Sequence, residues 1–154
     1  MPSEDKIMIN VKIKKLHPDA RIPQYQTDGA GCFDLHALES GEIGACGGVL
    51  HCRTGIAVEI PSDHVMLIFS RSGHGFKSRV SLVNSVGVID SDYRGDITVG
   101  LRNDSPLRFD VPSGSRIAQA MVIYAPRASF TLTDDLADTA RGAGGFGSTG
   151  TDSK

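Results

Sequence analysis

The sequence predicts an all-β fold, and three observations carry that prediction. Short apolar runs recur between turn-rich pieces along most of the chain. No window keeps apolar residues at i, i+3, i+4 and i+7 through three helical turns. The 18 glycines and 7 prolines among 154 residues punctuate the chain often enough to break it into strands. At this length, with 40% hydrophobic residues, one core in one domain is expected, built as a β-barrel or sandwich.

Taken in order, Ile7, Ile9, Val11 and Ile13 alternate with other residues at the two-residue period of a half-buried strand. The next strand candidates are VLHCRTGIAVEIP, VMLIF, VSLV, DITVGLRN, PLRFDVP and RIAQAMVIYA. SGEIGACGG, PSD, NDSP and PSGS separate them as turns. DDLADTA, from Asp134, is the one stretch read as a short helical turn. A compositional break near Thr139 divides a β domain, residues 1–139, from a glycine-rich arm, residues 140–154. The arm has too little apolar surface to offset a backbone ordering cost of about 1–2 kcal/mol per residue, so it should be mobile unless something holds it.

A net charge of −2 supplies no global basic field, which argues against duplex nucleic acid as the main partner. Cys32, Cys46 and Cys52 form no C-x-x-C pair and are odd in number, which suits buried thiols in a reducing compartment better than a disulfide framework. The start, MPSEDK, lacks a signal-peptide pattern, and VMLIF is far shorter than the roughly 18 apolar residues of a membrane span. The expectation is a soluble, cytoplasmic protein with no membrane partner. G-x-S-x-G, H-E-x-x-H, Walker and H-x-E with P-C-x-x-C patterns are missing. The five histidines show no metal-ligand spacing and are taken as surface or packing residues.

Five segments carry chemistry. GCFDLHA, residues 31–37, sets Asp34 between Phe33 and Leu35, where a polar side chain turned from the core is the ordinary explanation. FSRSGHGFKSR, residues 69–79, is read as a loop, with Arg71, Ser72 and Gly73 serving as a phosphate clamp or simply as part of a solvated basic surface. GVIDSDYRGDI, residues 87–97, gathers Asp90, Asp92 and Asp96 around Tyr93. It reads as a polar hairpin, or as a site where Asp90, shielded by Val88 and Ile89, deprotonates a water while Tyr93 offers its ring to a sugar. GSRIAQAMV, residues 114–122, reads as a strand carrying Arg116 and Gln119. RGAGGFGSTG, residues 141–150, matches G-x-G-x-x-G formally, yet the seven residues after Gly147 cannot hold the helix and the acidic residue about 20 positions on that a Rossmann site needs, which excludes that reading. It is a plain tail, or an arm whose amides, Arg141, Ser148 and Thr149 bind an anion while Phe146 stacks on a planar ligand.

In this order, GCFDLHA, SRSG, GVIDSDYRGD, GSRIAQ and RGAGGFGSTG resemble the five ordered motifs of the trimeric dUTPase family, over about Gly31 to Gly150. The resemblance implies a distorted jelly-roll-like β-barrel assembled as a homotrimer with active sites shared between subunits. It implies hydrolysis of dUTP to dUMP and diphosphate with Mg2+, which limits uracil in DNA and supplies dUMP for dTTP synthesis. Two other readings stay beside it. One is a dCTP deaminase-like enzyme of the same superfamily, against which Phe146 and YRGD argue; the other is a catalytically silent nucleotide-binding trimer.

By the same resemblance, Asp90 would activate the water that attacks the α-phosphorus, and Tyr93 would lie where a ribose 2′-hydroxyl clashes. Asn84, with backbone of Val88, Ile89 and Asp90 and near Thr98, would line a uracil slot. Arg71, Ser72, Gly73 and Gln119 would hold phosphates, and Asp34 would meet Mg2+ through water. From another subunit's arm, Arg141 would pair with the γ-phosphate, Phe146 would stack on uracil, and Gly147, Ser148 and Thr149 would donate to phosphates. Two departures stand out: Cys32 replaces a common glycine of the first motif, and Ser70 a common proline of the second.

Overall fold

The computed structural model describes residues 8–147 and 150. The described residues form eleven strands and one short helix. In chain order these are β1 (Lys12–Lys15), β2 (Phe33–His36), β3 (Gly41–Ile43), β4 (Gly48–Arg53), β5 (Ile56–Glu59), β6 (His64–Phe69), α1 (Ser72–Ser78), β7 (Val80–Leu82), β8 (Gly87–Ile89), β9 (Thr98–Asn103), β10 (Phe109–Val111) and β11 (Arg116–Tyr124). A four-stranded sheet runs β2-β11-β6-β8, a three-stranded sheet β4-β9-β7, and two ribbons pair β1 with β5 and β10 with β3. Every pairing is antiparallel. All-β is therefore right, whereas no closed barrel forms among the described residues: the hydrogen-bonded ladders stop at four separate sheets.

The sheets face a common core, as their alternating side chains require. Leu35 comes from β2, Ile43 from β3, Ile56 from β5, Met66 from β6, Leu101 from β9 and Ile117 from β11, each fully buried. In β9 the sequence TVGLRN turns Val99, Leu101 and Asn103 inward and Thr98 and Arg102 outward. Asn103 is polar and wholly buried. Its amide nitrogen donates to Ile43 O at 3.2 Å and Leu107 O at 2.7 Å, and its oxygen accepts Ser105 N–H at 3.0 Å, which tethers the β9–β10 connection to β3.

Several expectations change. VLHCRTGIAVEIP becomes two strands in different sheets, because Gly55 adopts a left-handed φ of 70°. Its Cβ position lies only 3.0 Å from the Ala20 side chain. Of the alternating opening run only Ile13 lies within a strand; Ile7 is outside the described residues. Residues 72–78, expected as loop, form α1, whose two turns are too short to register as helical periodicity. Arg79 ends it at φ 55°, its N–H reaching the His74 and Gly75 carbonyls. DDLADTA forms no helix, since Leu132 and Leu136 beside it and within it lie fully or almost fully exposed, and so short a segment needs packing to stay helical. GVIDSDYRGDI is no hairpin: β8 pairs with β6 and β9 with β4 and β7, so the loop crosses between sheets. From Ala125 onward no strand or helix forms among the described residues.

Replacing Asn103 by Ala removes the donor to the Ile43 carbonyl and the acceptor of the Ser105 N–H, while Leu107 O keeps the Ser105 hydroxyl. Stability should fall by about 3 kcal/mol, read as a lower urea midpoint at unchanged m-value.

Candidate active site

The register of the four-stranded sheet assembles one group of polar residues. On β11, Gln119 is paired with Asp34 of β2 on one side and with Phe69 of β6 on the other. Residues far apart in sequence thereby come together at one end of β6, where the chain leaves the sheet at Ser70. Asp34 is buried, and its two carboxylate oxygens meet two guanidiniums: Arg71 Nε lies 3.4 Å from Oδ1 and Arg116 Nη1 3.3 Å from Oδ2. Arg71 Nη1 also donates to Arg116 O at 3.3 Å, and Gln119 Nε2 to Ser70 O at 3.0 Å. One carboxylate against two guanidiniums leaves a net positive charge, with Ser72 and Gly73 exposed beside it. A Cβ on Gly73 would meet nothing within 4 Å, so its surroundings are open. Such a surface suits an anion with several oxygens.

A second group sits on the loop between β8 and β9. A cavity of about 180 Å³ is lined by Val88, Ile89, Asp90, Tyr93, Asp96 and Thr98. Tyr93 N–H donates to Asp90 O at 3.1 Å and the Tyr93 hydroxyl to Asp96 O at 3.1 Å, so the residue is held at its backbone and at its hydroxyl. Gly95 allows this, since a Cβ there would collide with the tyrosine hydroxyl. The lining carboxylates differ sharply. Asp96 is engaged by Arg53 Nε at 2.9 Å and Gly55 N–H at 2.9 Å, and so serves the β4–β5 turn. Asp90 is exposed and makes no side-chain hydrogen bond or ion pair among the described residues, which leaves its oxygens free for a water or ligand. Asp92 lies on the same loop outside the lining.

Other expected residues are not gathered. Asn84 is exposed in the turn after β7 and does not line the cavity. Arg141 closes only on its own turn, Nε donating to Gly144 O at 2.9 Å. Phe146 is completely exposed, at φ 47°, and Gly147 follows it at φ 87°. Ser148 and Thr149 lie outside the described residues. Arg116, Ser70 and Gly95 are structural partners that sequence reasoning left without a role. Asp34, expected to turn from the core, is instead buried, and a buried carboxylate needs a cation at hand, which Arg116 supplies together with Arg71. A larger groove, about 820 Å³, runs along Ile9, Val11, Ile13, Phe33 and Val122 and holds none of the candidate residues.

Among the described residues no three His, Cys, Asp or Glu side chains are placed to cage a metal ion, and no helix is long and apolar enough to cross a membrane. Of the three thiols expected to be buried only Cys52 is, and burial pushes it up to about 11; Cys32 is partly buried and Cys46 exposed, at the turn before β4. Burial also raises Cys32, with the neighbouring charge of Asp34 adding to it.

Fold and site together define an antiparallel β protein with a net positive guanidinium cluster and a separate pocket carrying a free carboxylate. The dUTPase family profile matches residues 18–150. A deoxyuridine 5'-triphosphate nucleotidohydrolase of Picosynechococcus sp. is 44% identical over 143 residues, 93% of this chain and 100% of that relative. One of Helicobacter hepaticus is 46% identical over 142 residues, 92% of this chain and 89% of the relative. The chain belongs to the dUTPase family. Among solved structures, the dUTPase of Staphylococcus bacteriophage 80alpha with dUpNHpp superposes with a TM-score of 0.86 at 22% identity, covering 92% of this chain and 99% of that one. A mutant dUTPase from phage phi11 of S. aureus, described for the coordination of a structural Mg(II) ion, gives a TM-score of 0.76 at 18% identity, covering 82% and 97%. At these identities the likeness is one of fold.

Two histidines border the anion surface. Burial pushes the imidazoles of His36 and His74 below the ordinary histidine value; Arg21 reinforces this at His36 and Arg71 at His74, while Asp34 opposes it at His36. Their Nδ1 atoms are buried without a partner among the described residues, and the His74 ring stands edge-on to Phe109 at 5.3 Å. The folded chain therefore favours neutral imidazoles, and the unfolded chain takes up protons first as pH falls. Their contribution to stability is complete above about 6.5, the unfolded value, and is lost as pH falls from there towards the depressed folded values. The urea midpoint should drop between about pH 7.5 and about pH 5.5, and replacing both histidines by Gln should shrink that drop.

Proposed function

We propose that this protein hydrolyses dUTP to dUMP and diphosphate at sites shared between the three subunits of a homotrimer. The observation that carries the reading is the contrast between the two cavity carboxylates: Asp96 is fully engaged, while Asp90 stands free beside the anchored ring of Tyr93. Membership of the family supplies the substrate class. Asp90 accepts a proton from a water as the water oxygen bonds to the α-phosphorus. The bond from that phosphorus to the bridging oxygen breaks, and diphosphate leaves with the electron pair. Tyr93 stacks against the deoxyribose and excludes a 2′-hydroxyl. Asn84, with backbone of Val88, Ile89 and Asp90 and with Thr98 nearby, takes the base. A site built on hydrogen bonds to the base discriminates more strongly than apolar contact alone.

Arg71, Ser72, Gly73 and Gln119 bind phosphate oxygens. Their grouping around a net positive charge supports this role. Mg2+ fits the donor set, because it retains several waters and is commonly held by one or two carboxylates and substrate phosphates rather than by a protein cage. Asp34 is the residue that would meet it through water. The ion would neutralise triphosphate charge.

Three features support the trimer and the arm. A cavity of about 180 Å³ is smaller than the roughly 300–1,000 Å³ usual for ligand sites, so one chain encloses only part of a nucleotide. The anion surface and the Asp90 cavity share no hydrogen bond or ion pair within one chain among the described residues. Phe130, Leu132 and Leu136 are exposed after the last strand, as suits a segment that lies on another copy. The arm, residues 140–154, then closes over the nucleotide of a neighbouring subunit, bringing Arg141 to the γ-phosphate, Phe146 to the uracil and Gly147, Ser148 and Thr149 to the phosphates. A jelly-roll-like arrangement of the four sheets and a cytoplasmic setting, in keeping with three free cysteines, complete the proposal.

Diphosphate release should be seen with dUTP and Mg2+ but not with dTTP, dCTP or UTP, and Asp90→Asn should lower kcat by at least about 100-fold. Ammonia from dCTP would point to a deaminase, and binding without turnover to a silent regulator. Removing residues from Ala140 onward should leave a folded trimer whose turnover falls at least about tenfold, the loss of one or two contacts of about 1 kcal/mol each. Full kcat and KM in the truncated protein would refute closure by the arm.

A further inference from the structure

We infer that Ser70 is a positioning residue for phosphate binding, acting through Arg71. The inference rests on reading Arg71, Ser72 and Gly73 as the phosphate-binding turn. Ser70 is the first residue after β6, and its two polar groups are tied to two different sheets. Its hydroxyl oxygen accepts the Leu82 N–H at 2.9 Å, and its carbonyl accepts Gln119 Nε2 at 3.0 Å.

The Leu82 bond follows from the edge position of β7. This strand pairs on one side only, with β9. Val83 N–H donates to Gly100 O at 3.0 Å, so the antiparallel alternation turns the Leu82 N–H away from β9. An outward N–H on a buried residue needs an acceptor, and the Ser70 hydroxyl supplies it. The same bond locates the chain one residue ahead of Arg71. Arg71 begins α1 in extended geometry, φ −85° and ψ 135°, with no side-chain cap of its own. The start of the turn is therefore held by Ser70 and by the guanidinium contacts of Arg71 with Asp34 and the Arg116 carbonyl. The far end is held separately, where Asp104 N–H donates to Arg79 O at 3.0 Å. Removing the hydroxyl frees the near end, and displacement of a binding group by about 1 Å is enough to weaken a multidentate contact strongly.

The test compares the parent with Ser70→Ala, Ser70→Cys and Ser70→Thr. KM for dUTP should rise about tenfold or more in the Ala variant and by a smaller factor in the Cys variant, whose sulfur is a weak acceptor, with kcat changed less than about threefold. The Thr variant, which keeps the hydroxyl, should return KM to within about threefold of the parent. Inhibition by deoxyuridine, which carries no phosphate, should be equal in all four proteins, and amide exchange at Leu82 should be faster in the Ala and Cys variants only. Unchanged KM in both variants would overturn the inference, and so would equal weakening of dUTP and deoxyuridine, which marks a general structural role. If the Ala variant does not fold, the Cys variant decides. A parent that releases no diphosphate from dUTP would instead refute the proposed function, while the Leu82 exchange result would still report on the hydrogen bond.

Discussion

The buried carboxylate of Asp34 is the constraint on which the guanidinium cluster depends. A charge with so little contact with solvent persists only when paired, and left without any cation it would be strongly destabilising. Pairing it with both Arg71 and Arg116 requires β2, β11 and β6 to lie side by side in register. The register in turn sets Gln119 beside Ser70 and sends the chain into α1 from a defined point. The ion pairs thus specify geometry more than they add stability, since desolvation offsets much of their Coulomb energy.

The loop between β8 and β9 solves a different problem. It must cross from the four-stranded to the three-stranded sheet, and its polar side chains are divided between holding that crossing and facing solvent. Asp96 holds it, through Arg53 and the Gly55 amide. Arg94 stiffens it by donating to Ser91 O at 2.7 Å. Tyr93 is pinned over Gly95. Asp90 makes no such contact among the described residues, and of the two carboxylates that line the cavity it is the one left open to solvent.

Much of this was readable in the residues. The strand segments around VMLIF, DITVGLRN and RIAQAMVIYA carry their own periodicity, and the five motifs stand in order along the chain. What stayed hidden depended on contacts distant in sequence. α1 contains two glycines and no buried residue, so neither propensity nor pattern announces it; it forms because the chain is fixed to neighbouring strands at both ends. Asp90, Asp92 and Asp96 look alike in a string of letters; only the fold shows that Arg53 and Gly55 engage Asp96 and that Asp90, not Asp92, lines the cavity beside it.

The sequence by itself determined that the chain is β-rich, that its glycines and prolines break it into short strands, and that it carries the motifs of the dUTPase family. These follow from local pattern, because alternation and turn chemistry act between near neighbours. Only the tertiary structure decided that Arg53 and Gly55 engage Asp96, which guanidiniums share Asp34, and that Ser70 faces the edge of β7. Each of these is a pairing between residues from about 12 to 82 positions apart, whose partner is chosen by strand register and burial.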